Sequence, residues 1–407
     1  MRKTHLLSLL FLVPGCHSDE SVITMHSRPL PSYGQGILQS VGNNHFSSEP
    51  RSMLQWYLHS WPASNYARFP LTMDQEHPKT RLQRVDERVY WDFGRFKPNI
   101  ASLKCHGHMP ESISIQHDSG SKVPFIIHDT QVDVRHPDLN GQVEVQNSTL
   151  KPENHGTHIA GLLTGKSDAN GIQGLSPKSQ IYSFGLTPSH DKHGNILVES
   201  KQVLKQLSAI KNKLQELPDL NNSSVKAIVV LGYGFFFSGE ETKEEQALKQ
   251  QFTKKLAEIV KEKVLVFVPD GNVQNEEKNR VYPADIVPYL QKVKNAQGTA
   301  FRVRASDMCS RESWFTRKSI ARSSSVDILA PGERIYSSFV NQDYGFLSGS
   351  SMATAIAAGT FAQFVTQFPE IKPKQIRSEL KKGLWARRVL NWQKLRRIGE
   401  NQLAFED

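Results

Sequence analysis

The chain has 407 residues, of which 38% are hydrophobic and 22% charged, with 26 glycines and 21 prolines. This composition excludes a lone small module, a collagen-like fibre and a largely disordered chain, and the length suits two or three compact units. Lysine and arginine outnumber aspartate and glutamate by 50 to 40, but the basic residues are scattered and become denser only near the C-terminal end, so we expect no nucleic-acid partner.

The N-terminus has the layout of a secretory signal. Arg2 and Lys3 precede an apolar stretch at residues 6–13, and Cys16 follows a glycine. We therefore expect export, with residues 1–15 removed as a signal peptide. This region resembles the lipobox of bacterial lipoproteins, in which Cys16 would be acylated and would hold the protein at a membrane surface; an ordinary cleaved signal that contains a cysteine is the alternative. The apolar stretch is too short to span a bilayer.

Residues 16–120 are polar and rich in turn-forming residues, without a sustained helical period. We interpret them as an N-terminal arm or pro-segment ahead of a folded body at residues 121–400. Beside Cys16 the chain has two further cysteines, Cys105 and Cys309. In an oxidising compartment we expect these two to form a disulfide, although two buried thiols would give the same sequence.

Beyond residue 121, short apolar runs alternate with helical patterns. The predicted strands are residues 123–127, 180–185, 227–231, 264–268 and 326–330. The predicted helices are residues 157–163, 199–216, 243–262 and 351–368. Strands separated by crossover helices indicate an α/β fold with a mainly parallel central sheet and flanking helices. In such sheets functional side chains collect beyond the C-terminal ends of the strands.

Two polar side chains in the first half of this region are candidates for such a role. Asp129 stands where the first predicted strand opens into a loop, and a carboxylate there can orient a base. An isolated aspartate in a turn or at a helix N-cap has the same appearance. His155 lies at the start of a helix of small residues, where Gly156 permits close approach of another chain segment. His155 and His158 have helical metal-ligand spacing, but no HExxH pattern accompanies them, so we do not expect zinc.

A third candidate opens the helix predicted at residues 351–368. Ser351 lies at the N-terminus of that helix, where free amides and the positive end of the helix dipole suit a developing oxyanion. A simple N-cap is the alternative for Ser350 or Ser351. The small residues that follow indicate close packing behind the serine.

In this chain order the three candidates resemble the catalytic motifs of the subtilisin-like serine peptidases, the subtilases. The resemblance rests on Asp129-Thr130, His155-Gly156-Thr157-His158 and Gly349-Ser350-Ser351-Met352-Ala353, and shorter matches extend it over about residues 124–392. It implies a subtilisin-like three-layer α/β fold and a serine endopeptidase that acts on a protein or peptide substrate. It assigns Ser351 as nucleophile, His155 as base and Asp129 as the carboxylate that orients the base.

The same resemblance indicates where the oxyanion and the substrate would bind. It places Asn272 in the oxyanion hole, although Asp270 stands where the family has a small residue. It places Gly232, Tyr233 and Gly234 at the edge that binds the substrate backbone as an added strand, where the family usually has Ser-x-Gly.

The chemistry implied by the resemblance uses no metal, but structural calcium is common in the family. Asp138 and Asp168 lie where one such site would be built, and their oxygen atoms suit Ca²⁺. The same residues are also ordinary turn formers, so either role agrees with the sequence.

Departures from the family pattern keep two other classes of function open. Gln131 stands in place of a glycine, and Gly232 and Asp270 also differ, which would suit a catalytically impaired pseudopeptidase or a peptide-binding lipoprotein. A serine esterase is the other class. The expected location is the cell envelope, lipid-anchored in the periplasm or at the outer membrane, or the extracellular space. The sequence does not indicate an oligomeric state.

Overall fold

The computed structural model describes residues 6–10, 23–25, 121–166, 171–190, 196–220, 222–235, 243–272, 282–306, 312–313, 326–333, 335–381, 389–390 and 392–403. Cys16, Cys105, Asp168 and Cys309 lie outside these residues. The lipid anchor, the disulfide and the contribution of Asp168 to a calcium site therefore stay predictions, as does the division at residue 120.

The strands, in chain order, are β1 (Leu6–Leu10), β2 (Ile23–Met25), β3 (Phe125–Thr130), β4 (Val143–Val145), β5 (Ile181–Leu186), β6 (Ser189–His190), β7 (Ile196–Glu199), β8 (Ala227–Leu231), β9 (Gly234–Phe235), β10 (Val264–Pro269), β11 (Thr299–Ser306), β12 (Ile328–Pro331), β13 (Ile335–Ser338) and β14 (Tyr344–Leu347). The helices are α1 (Asn154–Thr164), α2 (Ser200–Glu216), α3 (Lys243–Ile259), α4 (Val287–Leu290), α5 (Ser350–Gln367), α6 (Pro373–Lys381) and α7 (Trp392–Leu403).

The centre of the fold is a seven-stranded sheet in the order β12-β11-β10-β8-β3-β5-β4. Every pairing in it is parallel. Two smaller antiparallel sheets, β6-β7-β1-β9 and β13-β14-β2, lie beside it. The predicted mainly parallel α/β fold is therefore confirmed.

Helices cover both faces of the central sheet and give three layers. In β3, Phe125 and Ile127 pack into the core shared with α1 and α5, whereas Ile126 packs into the core shared with α2 and α3. Burial on both faces explains why the strand sequences are continuously apolar. In α2 the buried apolar residues Val203, Leu207, Ile210 and Leu214 form one stripe, as the helical pattern predicts. Within the described residues, no helix is both long and apolar enough to cross a bilayer.

Helix α5 lies at the centre of the molecule, and each of its residues from 350 to 365 is buried. It packs against α1 and against strands β10, β11 and β12. Such close contact on all sides requires the small side chains that the sequence places there. The predicted close packing behind Ser351 is therefore confirmed.

Among the elements that differ from the sequence predictions, two bear on the candidate site. β3 extends to Thr130, so Asp129 lies inside a strand and not in the loop that follows it. β11 was absent from the predicted strands because Arg302 and Arg304 interrupt its apolar run. Both arginines are buried beside Asp270, so the interrupted pattern still belongs to an interior strand.

Two buried histidines join separate elements of the fold. His158 in α1 donates from Nε2 to the Ile335 carbonyl in β13 at 2.8 Å. His128 in β3 bonds Gln206 of α2 at 2.7 Å. Burial lowers the pKa of each imidazole from 6.5 to about 3, since a charged ring loses its hydration in the interior. Both rings are therefore neutral in the folded protein at ordinary pH.

These lowered pKa values predict acid-sensitive folding. Between pH 6.5 and pH 3 the unfolded chain binds protons at His128 and His158 that the folded chain does not bind. The contribution of the two neutral histidines to the free energy of unfolding is therefore complete above pH 6.5. It is lost as the pH is lowered towards 3, by about 1.4 kcal/mol per pH unit for each histidine. His158→Gln keeps a donor for Ile335 but does not titrate. We expect it to remove the share of one histidine from this slope, about 1.4 kcal/mol per pH unit. Urea unfolding at pH 7, 6, 5 and 4 measures it, and equal slopes for variant and parent would contradict it.

Candidate active site

Asp129 and His155 form a hydrogen-bonded pair at the carboxyl edge of the sheet. β3 carries Asp129, and the first turn of α1 carries His155. His155 Nδ1 lies 2.8 Å from Asp129 Oδ1, and because a carboxylate only accepts, Nδ1 is the donor. A neutral imidazole that donates from Nδ1 has its lone pair on Nε2. The pair therefore has the tautomer that a general base requires.

Thr130 fixes both members of this pair. Its backbone amide and its hydroxyl donate to Asp129 Oδ1 at 2.6 and 3.1 Å. The same hydroxyl accepts the Gly156 amide at 2.9 Å, which ties α1 to the end of β3. A Cβ on Gly156 would lie 2.0 Å from the Thr130 carbonyl oxygen, so only glycine permits this approach. The close approach expected at Gly156 is thus confirmed.

Ser351, in α5, lies against Gly232, the glycine that follows β8. It lies in the first turn of that helix, and its hydroxyl donates to the Gly232 carbonyl oxygen at 2.7 Å. Asp129 approaches Gly232 from another side, because a Cβ added to Gly232 would lie 1.7 Å from Asp129 Oδ2. Asp129 and Ser351 therefore both lie against Gly232, and His155 is linked to this point through its bond to Asp129.

Asn272 borders the start of α5. Its side-chain Oδ1 accepts the Ser350 amide at 2.8 Å, and the Gly271 amide donates to the Ser350 hydroxyl at 3.2 Å. Gly271 has a φ of +98°, a backbone conformation that glycine adopts without strain. Because Oδ1 accepts the Ser350 backbone amide, the Asn272 carboxamide is fixed next to Ser351.

Asp270 belongs to a buried ion cluster that was not among the sequence predictions. Its two carboxylate oxygens accept from the Nε atoms of Arg302 and Arg304 in β11, the second at 2.5 Å. Arg304 Nη1 also lies 3.1 Å from Glu312 Oε1. This cluster fixes the end of β10, and thereby Asn272, against β11. The sequence does carry a signal for this cluster. Arg302 and Arg304 stand at alternate positions of an apolar run, so they share one face of the strand, and two buried cations on one face require an anion beside them.

Gly232 and Tyr233 connect β8 to β9, which begins at Gly234. Tyr233 is buried and its hydroxyl lies 2.9 Å from His128 Nδ1, so its side chain points into the core. β9 pairs with β1, and β1 pairs on its other side with β7. The edges of β7 and β9 are therefore spaced to accept one extended strand between them by antiparallel pairing.

The predicted calcium site is only partly within the described residues. Asp138 is buried, and its Oδ2 accepts the Ile172 amide at 3.1 Å. Among the residues that the structure describes, no group of three or more His, Cys, Asp or Glu side chains is arranged to hold a metal ion. Calcium at Asp138 and Asp168 therefore stays a prediction.

Comparison with known proteins gives consistent similarities. A sequence model of the Subtilase family matches residues 120–396. The chain is 26% identical over 298 residues to subtilisin from Bacillus sp. (strain TA39), covering 68% of this chain and 64% of that relative. It is 27% identical over 266 residues to thermitase from Thermoactinomyces vulgaris, covering 63% of this chain and 79% of the relative. The solved structure of the prenylagaramide maturation protease PagA has a TM-score of 0.49 and 19% identity, over 70% of this chain and 95% of that chain.

The contact at Gly232 predicts the effect of a single methyl group. In Gly232→Ala the new Cβ would meet Asp129 Oδ2 at 1.7 Å, so the carboxylate must move and its bond to His155 is broken or lengthened. We expect the rate at which Ser351 reacts with a fluorophosphonate probe to fall by about 100-fold. The control is Gly345→Ala, whose Cβ would meet the Phe339 ring at 2.4 Å in the β13–β14 hairpin. It should lose stability but keep the rate per folded molecule, and equal losses in both variants would refute the role of Gly232.

Proposed function

The chain belongs to the subtilase family, and we propose that it is a serine endopeptidase that hydrolyses peptide bonds through Asp129, His155 and Ser351. The observation that carries this proposal is that Asp129, bonded to His155, and Ser351 both lie against Gly232. His155 Nδ1 binds Asp129 Oδ1 at 2.8 Å, and Ser351 Oγ lies 2.7 Å from the Gly232 carbonyl oxygen. These residues stand in the Asp, His, Ser chain order of subtilisin.

The proposed reaction is acyl transfer. Ser351 Oγ attacks the substrate carbonyl carbon while His155 Nε2 takes the hydroxyl proton, and Asp129 stabilises the imidazolium that forms. The C–N bond then breaks, and His155 returns the proton to the leaving amine. His155 next takes a proton from water as the water attacks the acyl-enzyme. It returns this proton to Ser351 Oγ when the ester bond breaks and the carboxylic acid product leaves. The proposed chemistry uses no metal.

In this proposal, substrate binding changes the hydrogen bond of the Ser351 hydroxyl. An extended peptide that takes the place of β1 between β7 and β9 donates amide protons to edge carbonyls, including that of Gly232. The peptide amide then competes with the Ser351 hydroxyl for the Gly232 carbonyl, and in this proposal the hydroxyl turns towards His155. Catalytic hydrogen bonds that form only with bound substrate are common in enzymes.

The proposed oxyanion hole combines the Ser351 backbone amide with Asn272 Nδ2. The bond from the Ser350 amide to Asn272 Oδ1 supports this role, because it orients the carboxamide beside the first turn of α5. Loss of one such donor costs about 2.7–4 kcal/mol in the transition state. The amide of Ser351 gains further from the positive end of the α5 dipole.

For the location of the protein we propose export and attachment to a membrane through a lipid on Cys16. The support is the order of basic residues, apolar stretch and cysteine in the sequence, with Arg2 and Lys3 at its start. Labelling of cells with radioactive palmitate should mark the parent protein, and Cys16→Ser should lose the label. A labelled Cys16→Ser protein would overturn the anchor.

The proposed triad predicts a graded set of losses. Ser351→Ala and His155→Ala should each abolish peptide hydrolysis, because nucleophile and base act as one unit. Asp129→Ala should retain a small residue of activity. Asn272→Ala should lower kcat by about 100- to 1,000-fold with little change in KM, since its donor acts on the transition state. The measurement is the initial rate of cleavage of a chromogenic peptide by each purified variant.

Active-site labelling separates this proposal from its competitors. A fluorophosphonate adduct located on Ser351 by mass spectrometry excludes an inert, peptide-binding protein. Faster turnover of peptides than of matched esters excludes an esterase. Near-parental cleavage by Ser351→Ala would show that Ser351 is not the nucleophile, and Ser350 would then be examined in the same way.

A further inference from the structure

A chain of hydrogen bonds runs beneath the candidate site on the opposite face of the sheet. Tyr233 Oη lies 2.9 Å from His128 Nδ1, and His128 Nε2 lies 2.7 Å from Gln206 Oε1. Gln206 Nε2 in turn donates to the Gly185 carbonyl oxygen. This chain joins the segment after β8 to β3, α2 and β5. We refer to Tyr233, His128 and Gln206 as the rear chain.

The direction of every bond in the rear chain is determined. Gln206 Oε1 can only accept, so His128 carries its proton on Nε2. The neutral ring then accepts at Nδ1, and the Tyr233 hydroxyl donates to it. Tyr233 and His128 are almost completely buried and also make an edge-to-face ring contact at 5.1 Å. A single geometry therefore satisfies all of these groups.

The rear chain acts where backbone pairing stops. β3 and β8 pair in register as far as His128 opposite Leu231, and the last backbone bond runs from the Gly232 amide to the His128 carbonyl at 3.2 Å. Beyond it, the bond from the Tyr233 hydroxyl to His128 adds one more connection between the two segments. It lies directly behind Asp129, which faces the opposite side of the sheet.

We propose that Tyr233, His128 and Gln206 are positioning residues that hold the substrate-binding segment 232–234 at a fixed place relative to β3. This inference rests on the proposed function. The rear chain touches no reacting atom. It sets the position of the Gly232 carbonyl and of the β9 edge, and through them the alignment of an extended peptide above Ser351. A small reagent that attacks Ser351 without pairing to β9 does not depend on this alignment.

This difference between extended and small substrates supplies the test. Tyr233→Phe keeps the ring in the core, removes the hydroxyl and leaves His128 Nδ1 without its donor. We expect kcat/KM for an extended tetrapeptide substrate to fall about tenfold, and the rate of reaction with a small fluorophosphonate to change less than twofold. Tyr282→Phe is the matched control, because its buried hydroxyl bonds Thr253 and the Lys249 carbonyl of α3 on the same face of the sheet. Its peptide kinetics should match those of the parent.

A double-mutant cycle isolates the bond itself. His128→Leu should show the same selective loss, and the double variant with Tyr233→Phe should lose no more than the worse single variant. Gln206→Leu, at the half-buried end of the rear chain, should give a smaller loss in the same direction, and it serves if a core variant does not fold.

The outcomes separate the possible roles. Equal losses for peptide and small reagent, unchanged peptide kinetics in Tyr233→Phe, or additive losses in the cycle would each overturn the positioning role. A parent protein that reacts with neither substrate would instead overturn the proposed function, and this inference with it.

Discussion

The contact between Asp129 and Gly232 is the constraint on which the candidate site depends. Asp129 Oδ2 occupies the space that any side chain at position 232 would need, since a Cβ there would lie 1.7 Å away. The Gly232 carbonyl in turn accepts the Ser351 hydroxyl. Glycine is therefore needed for packing at this point. Its amide bonds β3 at the His128 carbonyl, and its carbonyl bonds α5 at Ser351.

The parallel sheet brings these elements together. β3 and β8 are neighbours in the sheet, so their carboxyl ends open side by side, and α5 packs across β8, β10 and β11 with its N-terminus at the same edge. Asp129, Gly232, Asn272 and Ser351 come from chain segments that are far apart in sequence. Their mutual positions follow from strand order and helix packing and need no long loops to hold them.

The sequence singled out the residues of the candidate site but not the contacts between them. Asp129, His155 and Ser351 each stand in a short local pattern, and local patterns are what a sequence shows directly. The bond between Tyr233 and His128 joins residues 105 positions apart, and its existence depends on the register of β3 against β8. No local period encodes that register.

Buried charge was the other feature that the sequence concealed. Arg302 and Arg304 break the apolar run of β11, and arginine is rarely buried unless it is paired. Their partner, Asp270, lies 32 and 34 positions earlier in the chain. The alternation of the two arginines indicates a buried anion, but it does not identify Asp270 as that anion, because the pairing depends on the neighbouring strand.

Two departures from the family pattern have local structural partners. Gln131 donates from Nε2 to the Asn147 carbonyl at 3.0 Å, and a Cβ on Gly185 would lie 2.0 Å from Gln131 Oε1. Gly185, on the neighbouring strand β5, therefore leaves the space that the Gln131 side chain occupies. Gly232 in turn leaves the space that the Asp129 carboxylate occupies.

The third departure has the largest energetic consequence and the most complete compensation. A buried carboxylate alone at Asp270 would be strongly unfavourable, and removing one partner of a buried ion pair typically costs about 3–5 kcal/mol. Here both carboxylate oxygens accept from guanidinium groups of β11, and Glu312 engages Arg304 in turn. Asp270, Arg302 and Arg304 therefore form one unit, and a small residue at position 270 would remove the carboxylate that both arginines share. Because each departure from the pattern comes with its own partner, the departures describe a differently packed site and do not by themselves argue for an inert one.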